Sequence, residues 1–496
     1  MSVFVAVDLG ATAGRIFSGR LAGDRLEIEE IYRFPNIPVR IGRSLFWDVL
    51  SLWREVKQGI SLATSRCGEV SSVGVDTWGI DFALLGRDGE LLGNPHLYRD
   101  PRTEGMMERV FQVVPREEVY YRTGIQFMRI NSLYHLYYLS LHNRPLLQAA
   151  DRLLMIPDLF NYWLCGEKVC EFTDATTTQF YNPRKGWWDV ELLQRLDIPT
   201  HFLAEIVPPG TKLGMVSEAL TSELGRFEVV ATASHDTASA VAATPLEGED
   251  SAYISSGTWS LVGAEVPEPV INPTSMEYNF TNEGGVFGTF RLLRDVQGMW
   301  LLDECRRIWS AQGKEHPPEK IVELASRAEP FRAFIDPDDP RFVSPLNMVE
   351  EIAGYLRETG QPGAGGVGEM ARIIYESLAF KYRLVLEQLQ ALTGRKIRRI
   401  HVVGGGSKNW LLNQLTADFT GLEVVAGPTE ATSIGNLLMQ AVAAGLLGTH
   451  RQLREVVRNS FPLKVYTPSG VEVDEAYERF LKVTGLARTS PSVRLN

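Results

Sequence analysis

Four consecutive residues, Ser234-His235-Asp236-Thr237, stand between two segments of opposite character. Residues 227–231 are apolar and β-branched, which predicts a strand, while 238–243 are almost all small, which predicts a closely packed helix. The tetrad therefore occupies a strand-to-helix turn. Ligands of open α/β sheets collect at the carboxyl ends of strands, where a helix N-terminus offers backbone donors and a dipole end that keeps a carboxylate ionised. Asp236 in that position is a candidate base. The same residue type is also a favoured N-cap, so the turn by itself leaves a structural reading open.

A second acid ends the first apolar run. Residues 3–7 predict a strand that stops at Asp8, residues 16–21 predict its hairpin partner, and Leu9-Gly10-Ala11-Thr12-Ala13-Gly14-Arg15 joins them. Gly10 and Gly14 permit positive φ and close approach of a ligand to the backbone, while Thr12 and neighbouring N–H groups suit phosphate oxygens. Asp8 suits Mg2+, which takes one or two carboxylates and keeps several waters. A similar pattern opens the second half: residues 252–254 and 261–264 predict short strands around Ser255-Ser256-Gly257-Thr258-Trp259-Ser260. Two such turns facing each other would clasp a polyphosphate. A third glycine-rich turn, Gly404-Gly405-Gly406-Ser407-Lys408-Asn409, follows a strand pattern at 399–403 and would let a phosphate or flat group lie at a helix start.

Other polar stretches carry weaker signals. Asp76-Thr77-Trp78-Gly79-Ile80-Asp81 sets two acids beside an aromatic ring, the kind of wall that holds a sugar, although a half-buried Trp in an ordinary turn gives the same pattern. Thr173-Asp174-Ala175-Thr176-Thr177-Thr178 reads as a loop lining a cleft, with no chemical role assigned. His401, inside an apolar strand, reads as a core residue.

The elements that must position these residues alternate between strand and helix periodicity. A third strand is predicted at 25–33, a helix at 45–64 and a strand at 70–75. Pro208-Pro209-Gly210 is a turn before the strand that leads to the tetrad, and residues 244–250, polar with both Pro and Gly, mark a domain boundary. Beyond it come a loop at 279–288, a helix introduced by Arg294-Asp295-Val296-Gln297 and running through Arg307, a loop at 358–368, and helices at 370–392, 410–419 and 433–447. This gives an α/β protein with domains at 1–245 and 246–485 and a disordered tail at 486–496.

Composition narrows the function. A chain of 496 residues with 44% hydrophobic residues can build two large cores. Its net charge of −11, without a basic block, argues against nucleic acid or an anionic membrane as the main partner and favours a small molecule. Cys67, Cys165, Cys170 and Cys305 lack C-x-x-C or metal-ligand spacing and read as buried free thiols in a reducing compartment. The first residues read as a strand rather than a signal peptide, and no apolar run reaches the roughly 18 residues needed to span a bilayer, so a cytoplasmic protein is expected. Walker A, protein-kinase, H-E-x-x-H and G-x-S-x-G motifs are all missing from the sequence.

Val7-Asp8-Leu9-Gly10, Ser234-His235-Asp236-Thr237, Ser255-Ser256-Gly257-Thr258-Trp259 and Gly404-Gly405-Gly406, in this order and across nearly the whole chain, resemble the FGGY carbohydrate kinases of the actin-like ATPase superfamily. Residues 76–82, 233–241 and 281–285 most resemble the members that phosphorylate L-rhamnulose at its primary 1-hydroxyl in L-rhamnose catabolism. The resemblance implies two ribonuclease-H-like domains with ATP and sugar meeting in the cleft between them, and Mg2+ as the accompanying metal. It makes Asp236 the general base, assigns ATP contacts to Ala11, Thr12, Ala13, Gly14, Arg15, Thr258, Asp303 and Gly405, and assigns substrate contacts to Gly79, His235, Asp236, Thr237 and Asp295. Asp8 and Asp236 become the metal-associated acids, acting directly or through water. Two positions depart from the family pattern: Asp295 replaces a substrate-contacting Asn, and Asp303 replaces an ATP-contacting Gln. An ionised Asp295 accepts hydrogen bonds but donates none, which bears on the sugar preferred. Other ketoses (L-fuculose, L-ribulose, D-xylulose), a non-catalytic sugar-binding regulator and an actin-like structural or chaperone ATPase are the competing readings.

Overall fold

The computed structural model describes residues 2–487, so the expectation for the tail falls, from 488 onward, outside the described residues. The chain forms two compact units. The first takes residues up to Pro245, Glu265–Leu292 and Ala431–Phe461, and the second takes Leu246–Ala264, Leu293–Glu430 and the chain from Pro462. A single division at 245/246 is therefore too simple, because two later segments return to the first unit.

Each return has a local cause. Thr281–Gly284, expected as loop, is a strand; Asn282 bonds Gly124 O through both its backbone N and its Nδ2, at 2.9 and 3.0 Å, and Gly284 N donates to Thr176 Oγ1 at 2.7 Å. The helix Ala431–Ala443 presents Ser433, Asn436 and Gln440, spaced three and four residues apart and so on one face, to the first unit's sheet. Gln440 Nε2 donates to Val5 O at 2.9 Å, Ser72 Oγ donates to Gln440 Oε1 at 2.7 Å, and Asn436 Nδ2 donates to Gly74 O at 3.1 Å. The same helix packs against Asp236–Ala242 so closely that a Cβ on Gly435 would lie 1.8 Å from Ser239 O. Only glycine fits there.

In the first unit a six-stranded sheet runs in the order Arg25–Pro35, Ala13–Ala22, Ser2–Leu9, Ser72–Thr77, Glu228–Ala231, Thr211–Met215. The first three strands are antiparallel, Ser2–Leu9, Ser72–Thr77 and Glu228–Ala231 are parallel, and the last is antiparallel. Val5, Val7, Val73 and Val75 are wholly buried, as the apolar runs of central parallel strands require, each contributing about 1.5–3 kcal/mol of burial. The helix expected from residue 45 starts at Val49, after the short strand Ser44–Phe46, because Asp48 caps it through Ser51 N.

The second unit repeats the scheme. Ser251–Ser256 pairs antiparallel with Trp259–Val266 on one side and parallel with Arg399–Val403 on the other, followed by parallel Glu423–Ala426 and antiparallel Lys464–Tyr466. Asp295 lies on the strand Phe290–Gln297, and the helix expected to begin beside it starts at Trp300 and runs to Ala311. The long helix is Val367–Thr393, and His401 is buried in its strand. All four cysteines are free thiols, with Cys67 and Cys165 half-buried rather than buried. Among the described residues no helix is long and apolar enough to cross a membrane.

Candidate functional site

The strand Glu228–Ala231 leads through Thr232-Ala233-Ser234 into a helix whose first residue is Asp236 and whose N-cap is His235. His235 makes no side-chain capping bond, and Asp236 accepts from Thr237 Oγ1 at 3.2 Å. The N-cap reading of Asp236 therefore fails, since the acid sits one residue inside the helix. Burial pushes its carboxyl above the usual carboxylate range; His235 opposes that push and the charge of Asp8 adds to it. Asp8, far away in sequence, thus lies near enough for its charge to act on Asp236.

Asp8 is positioned by the first sheet's register, opposite Asp76 in the parallel pair and opposite Arg15 in the hairpin. Its Oδ2 accepts from Arg15 Nη2 and from Ser433 Oγ, both at 2.7 Å. Asp76, expected only as part of a possible sugar wall, accepts from Asn436 Nδ2 at 2.6 Å and keeps a buried Oδ1 without a hydrogen-bond partner. Burial first, and the neighbouring Asp8 second, hold its carboxyl well above the usual range. Three acids thus gather at the carboxyl ends of adjacent strands. Among the described residues no set of three His, Cys, Asp or Glu side chains could enclose a metal ion alone. What the acids fit is a cation that keeps its waters and borrows one or two carboxylates.

A wall of three segments stands beside them. Thr77 N donates to Ser234 O at 2.9 Å, Ile80 N donates to Thr177 Oγ1 at 2.9 Å, and a Cβ on Gly79 would lie 3.0 Å from Thr177 Cγ2 and 3.3 Å from His235 Nε2. Gly79, Thr177 and His235 therefore share one small space. The Trp78 ring contributes packing instead: it is 6% exposed, lies 4.2 Å from the Trp47 ring, and donates to Asp81 Oδ2 at 2.9 Å. Asp81, enclosed by both indoles, is raised by burial to about 7.

The stretch 173–178, without a role in the sequence reading, holds the backbone of the tetrad. Buried Glu171 accepts from Thr173 Oγ1 at 2.5 Å and from Ser234 N at 3.0 Å, and Thr173 Oγ1 accepts from His235 N at 3.2 Å. Burial raises Glu171 to about 7, against the pull of these donors. The His235 ring is held from another side. Its Nδ1 lies 3.1 Å from Arg291 Nη2 and 3.4 Å from Glu283 Oε2, while Arg291 and Glu283 pair at 3.0 Å. Burial would raise Glu283, but the Arg291 charge and the His235 contact outweigh it and hold the carboxyl below its usual range.

The glycine-rich turns behave differently from expectation. Neither Gly10 nor Gly14 adopts positive φ, and Gly14 is required by packing, since a Cβ there would fall 2.2 Å from Phe34 Cζ. Thr12 is exposed at the tip, and Ala11, Ala13 and Arg15 are half-buried. In the second unit, Gly404 has a φ of 81° and its absent Cβ would sit 2.9 Å from Ser256 O, while one on Gly406 would sit 2.0 Å from Ser256 Oγ. Gly405 alone of the three faces open space. At the Ser256–Trp259 turn, the carbonyl of Thr258 accepts from Gly298 N and Trp300 N, both at 3.1 Å. Asp303, on the helix that follows, pairs with Arg306 at 3.1 Å.

The folds of known proteins match this arrangement. The xylulose kinase of Lactobacillus acidophilus superposes with a TM-score of 0.77 at 18% identity, covering 97% of this chain and 96% of that one. The glycerol kinase of Plasmodium falciparum, solved with ADP, gives 0.77 at 14% identity over 97% of each chain. Curated relatives are much closer in sequence. Proteins named rhamnulokinase from Bacteroides thetaiotaomicron and Bacillus subtilis are 46% and 39% identical over 96% of this chain and 98% of their own lengths. Residues 3–243 match the N-terminal domain, and residues 252–444 the C-terminal domain, of the FGGY family of carbohydrate kinases. The chain therefore belongs to the FGGY family of carbohydrate kinases and is a sugar kinase that uses ATP as phosphoryl donor.

Proposed function

We propose that this kinase phosphorylates L-rhamnulose at its primary 1-hydroxyl, giving L-rhamnulose 1-phosphate, with Asp236 as the general base. The observation that carries the reading is the state of Asp236: it sits at the carboxyl end of the sheet, free of a capping role, in a half-buried position that favours proton uptake. The sugar is taken from near-full-length similarity to relatives named rhamnulokinase.

In this reading His235, Thr237 and Gly79 hold the ketose so that its hydroxyl faces Asp236. Asp236 accepts the hydroxyl proton as the oxygen attacks the γ-phosphorus in line, and ADP leaves. Phosphoryl transfer depends chiefly on alignment and on neutralising charge, with the base adding about 10² to 10⁴ in rate. Ala11 to Arg15, Thr258, Asp303 and Gly405 contact the nucleotide. Asp8 and Asp236 would hold Mg2+, directly or through water, and the ion would supply positive charge to the phosphates. Asp295 contacts the sugar as an acceptor.

Asp295 is also the observation that favours a second reading, in which another ketose fits better, because an ionised carboxylate can accept from a sugar hydroxyl but cannot donate to a sugar oxygen as an Asn amide would. One assay separates the two. Purified enzyme is given ATP, Mg2+ and, in turn, L-rhamnulose, L-fuculose, L-ribulose and D-xylulose, with ADP release followed. The highest kcat/KM for L-rhamnulose supports the proposal; a higher value for any other ketose overturns the sugar assignment, and no turnover with any of them overturns the kinase role for these ketoses.

A further inference from the structure

The site holds a buried ion pair that the phosphoryl-transfer step itself does not use. Glu283 and Arg291 come from the segment Glu265–Leu292, which returns to the first unit, and they meet His235 immediately before the base. Their side chains are 7% and 0% exposed. An ion pair this deep is weak evidence for stability, because desolvating both charges offsets most of their attraction. Its geometry has a definite consequence for the neighbouring ring.

Arg291 is anchored in two directions. Its Nε donates to Gly284 O at 2.8 Å, and its Nη2 lies 3.0 Å from Glu283 Oε2 and 3.1 Å from His235 Nδ1. A guanidinium has donors only, so in that contact His235 Nδ1 is the acceptor and the ring proton sits on Nε2; Glu283 Oε2, which would favour a proton on Nδ1, lies farther from it at 3.4 Å than Arg291 Nη2 at 3.1 Å. Nε2 is the nitrogen turned toward the reaction: it lies 3.5 Å from Asp236 Oδ1 and 3.3 Å from where a side chain on Gly79 would begin. Gly284 O anchors the guanidinium, Glu283 balances its charge from 3.0 Å, and the guanidinium in turn meets the ring, which presents one N–H to the space shared by the base and the Gly79 wall.

We infer that Glu283 and Arg291 are positioning residues for the sugar-binding face of the site, orienting the His235 ring so that its Nε2–H meets a substrate hydroxyl beside Asp236. The inference rests on the proposed ketokinase reading. It assigns the pair no contact with sugar or nucleotide and no proton transfer of its own.

The test is a double-mutant cycle between Glu283→Gln and His235→Asn, with L-rhamnulose and ATP as substrates. Glu283→Gln is nearly isosteric; Arg291→Lys, which keeps the charge but loses the planar fork, serves as the alternative arm if the first variant does not fold. Each positioning variant should lower kcat/KM for the ketose by about tenfold or more, the size expected when a group that orients a ligand is lost, while KM for ATP stays within about twofold. Because the pair acts through His235, the double variant should lose no more than His235→Asn alone. Additive losses, an equal rise in KM for ATP, or unchanged ketose kinetics would each overturn the inference. Wild-type turnover is measured first: a wild type that ignores L-rhamnulose defeats the functional reading, whereas an active wild type with an additive cycle defeats only the positioning role.

Discussion

The two sheets share a topology and differ in what stands at the same place within it. In the first unit the penultimate residue of the opening strand is Asp8, paired in register with Asp76, and the next parallel strand leads to Asp236. In the second the penultimate residue is Ser255, paired with Val403, and the neighbouring turns offer Ser256, Thr258 and Gly405. One end is acidic, with Asp76 and Asp236 raised chiefly by burial; the other has hydroxyls, glycine and backbone. The backbone scheme therefore does not dictate the chemistry. Acids suit a hydrated cation and a proton, but they repel a bare triphosphate, while neutral donors and open glycine tolerate its charge. The difference between the two ends lies in side-chain type at equivalent positions.

That contrast can be broken most sharply at Asp236. Asp236→Asn should lower kcat by at least about 10² while leaving nucleotide affinity near normal. Its melting temperature should not fall, because the native environment already disfavours the ionised carboxyl. Steady-state kinetics, nucleotide titration and a thermal melt check the three parts, and an Asn variant with wild-type kcat would remove Asp236 as the base.

Asp8→Asn and Thr258→Val probe the two ends against each other. The first should raise the Mg2+ concentration needed for half-maximal rate by about 10-fold or more, the usual scale for losing a metal-supporting group. The second should raise KM for ATP by about 2- to 10-fold, the worth of one hydrogen bond, and leave KM for the ketose alone. Titrations of metal, ATP and ketose on both variants would show whether the effects really separate; a Thr258→Val enzyme with a ketose defect would blur the comparison.

The glycine turn of the second unit divides further. Gly406→Ala should cost about 1–3 kcal/mol of stability through collision with Ser256, whereas Gly405→Ala should leave stability unchanged and weaken ATP binding. Denaturant melts and nucleotide titration distinguish them.

The smallest effect concerns pH. Glu171 has its folded-state pKa raised from 4.5 to about 7, mainly by burial, so the folded protein binds its proton more readily than the unfolded chain does. Its contribution to stability is complete below about pH 4.5 and is lost as pH rises to about 7. The stability of wild type relative to Glu171→Gln should therefore fall across that window and level off above it. Thermal melts of both proteins from pH 4.5 to 8 read this directly; a constant difference would mean that Glu171 is not so perturbed.

Much of this was legible from sequence because it depends on local rules. Asp8 closes one apolar run, Asp236 stands at the turn between another and a small-residue helix, and both opening hairpins follow from apolar segments on either side of a polar turn. What was missed depends on distant partners. Ser433, Asn436 and Gln440 read as ordinary residues of a small-residue helix, although their three-and-four spacing was a polar stripe waiting for a face to meet. Gly14 has a packing partner in Phe34 that the turn pattern did not announce, and of the two readings open for Trp78 the packed one holds, against Trp47. Glu171 and Arg291 carried no motif, and Glu283 stood out only as part of the 281–285 resemblance, with no role attached.

Sequence alone showed the family and singled out Asp8 and Asp236 at the ends of apolar segments, since these follow from neighbours along the chain. The tertiary structure decided which buried groups hold those acids in place: Asn436 on Asp76, Ser433 on Asp8, Glu171 behind Ser234, and Arg291 beside His235. A buried polar group must find its partner in space, and chain spacing does not say where that partner will be.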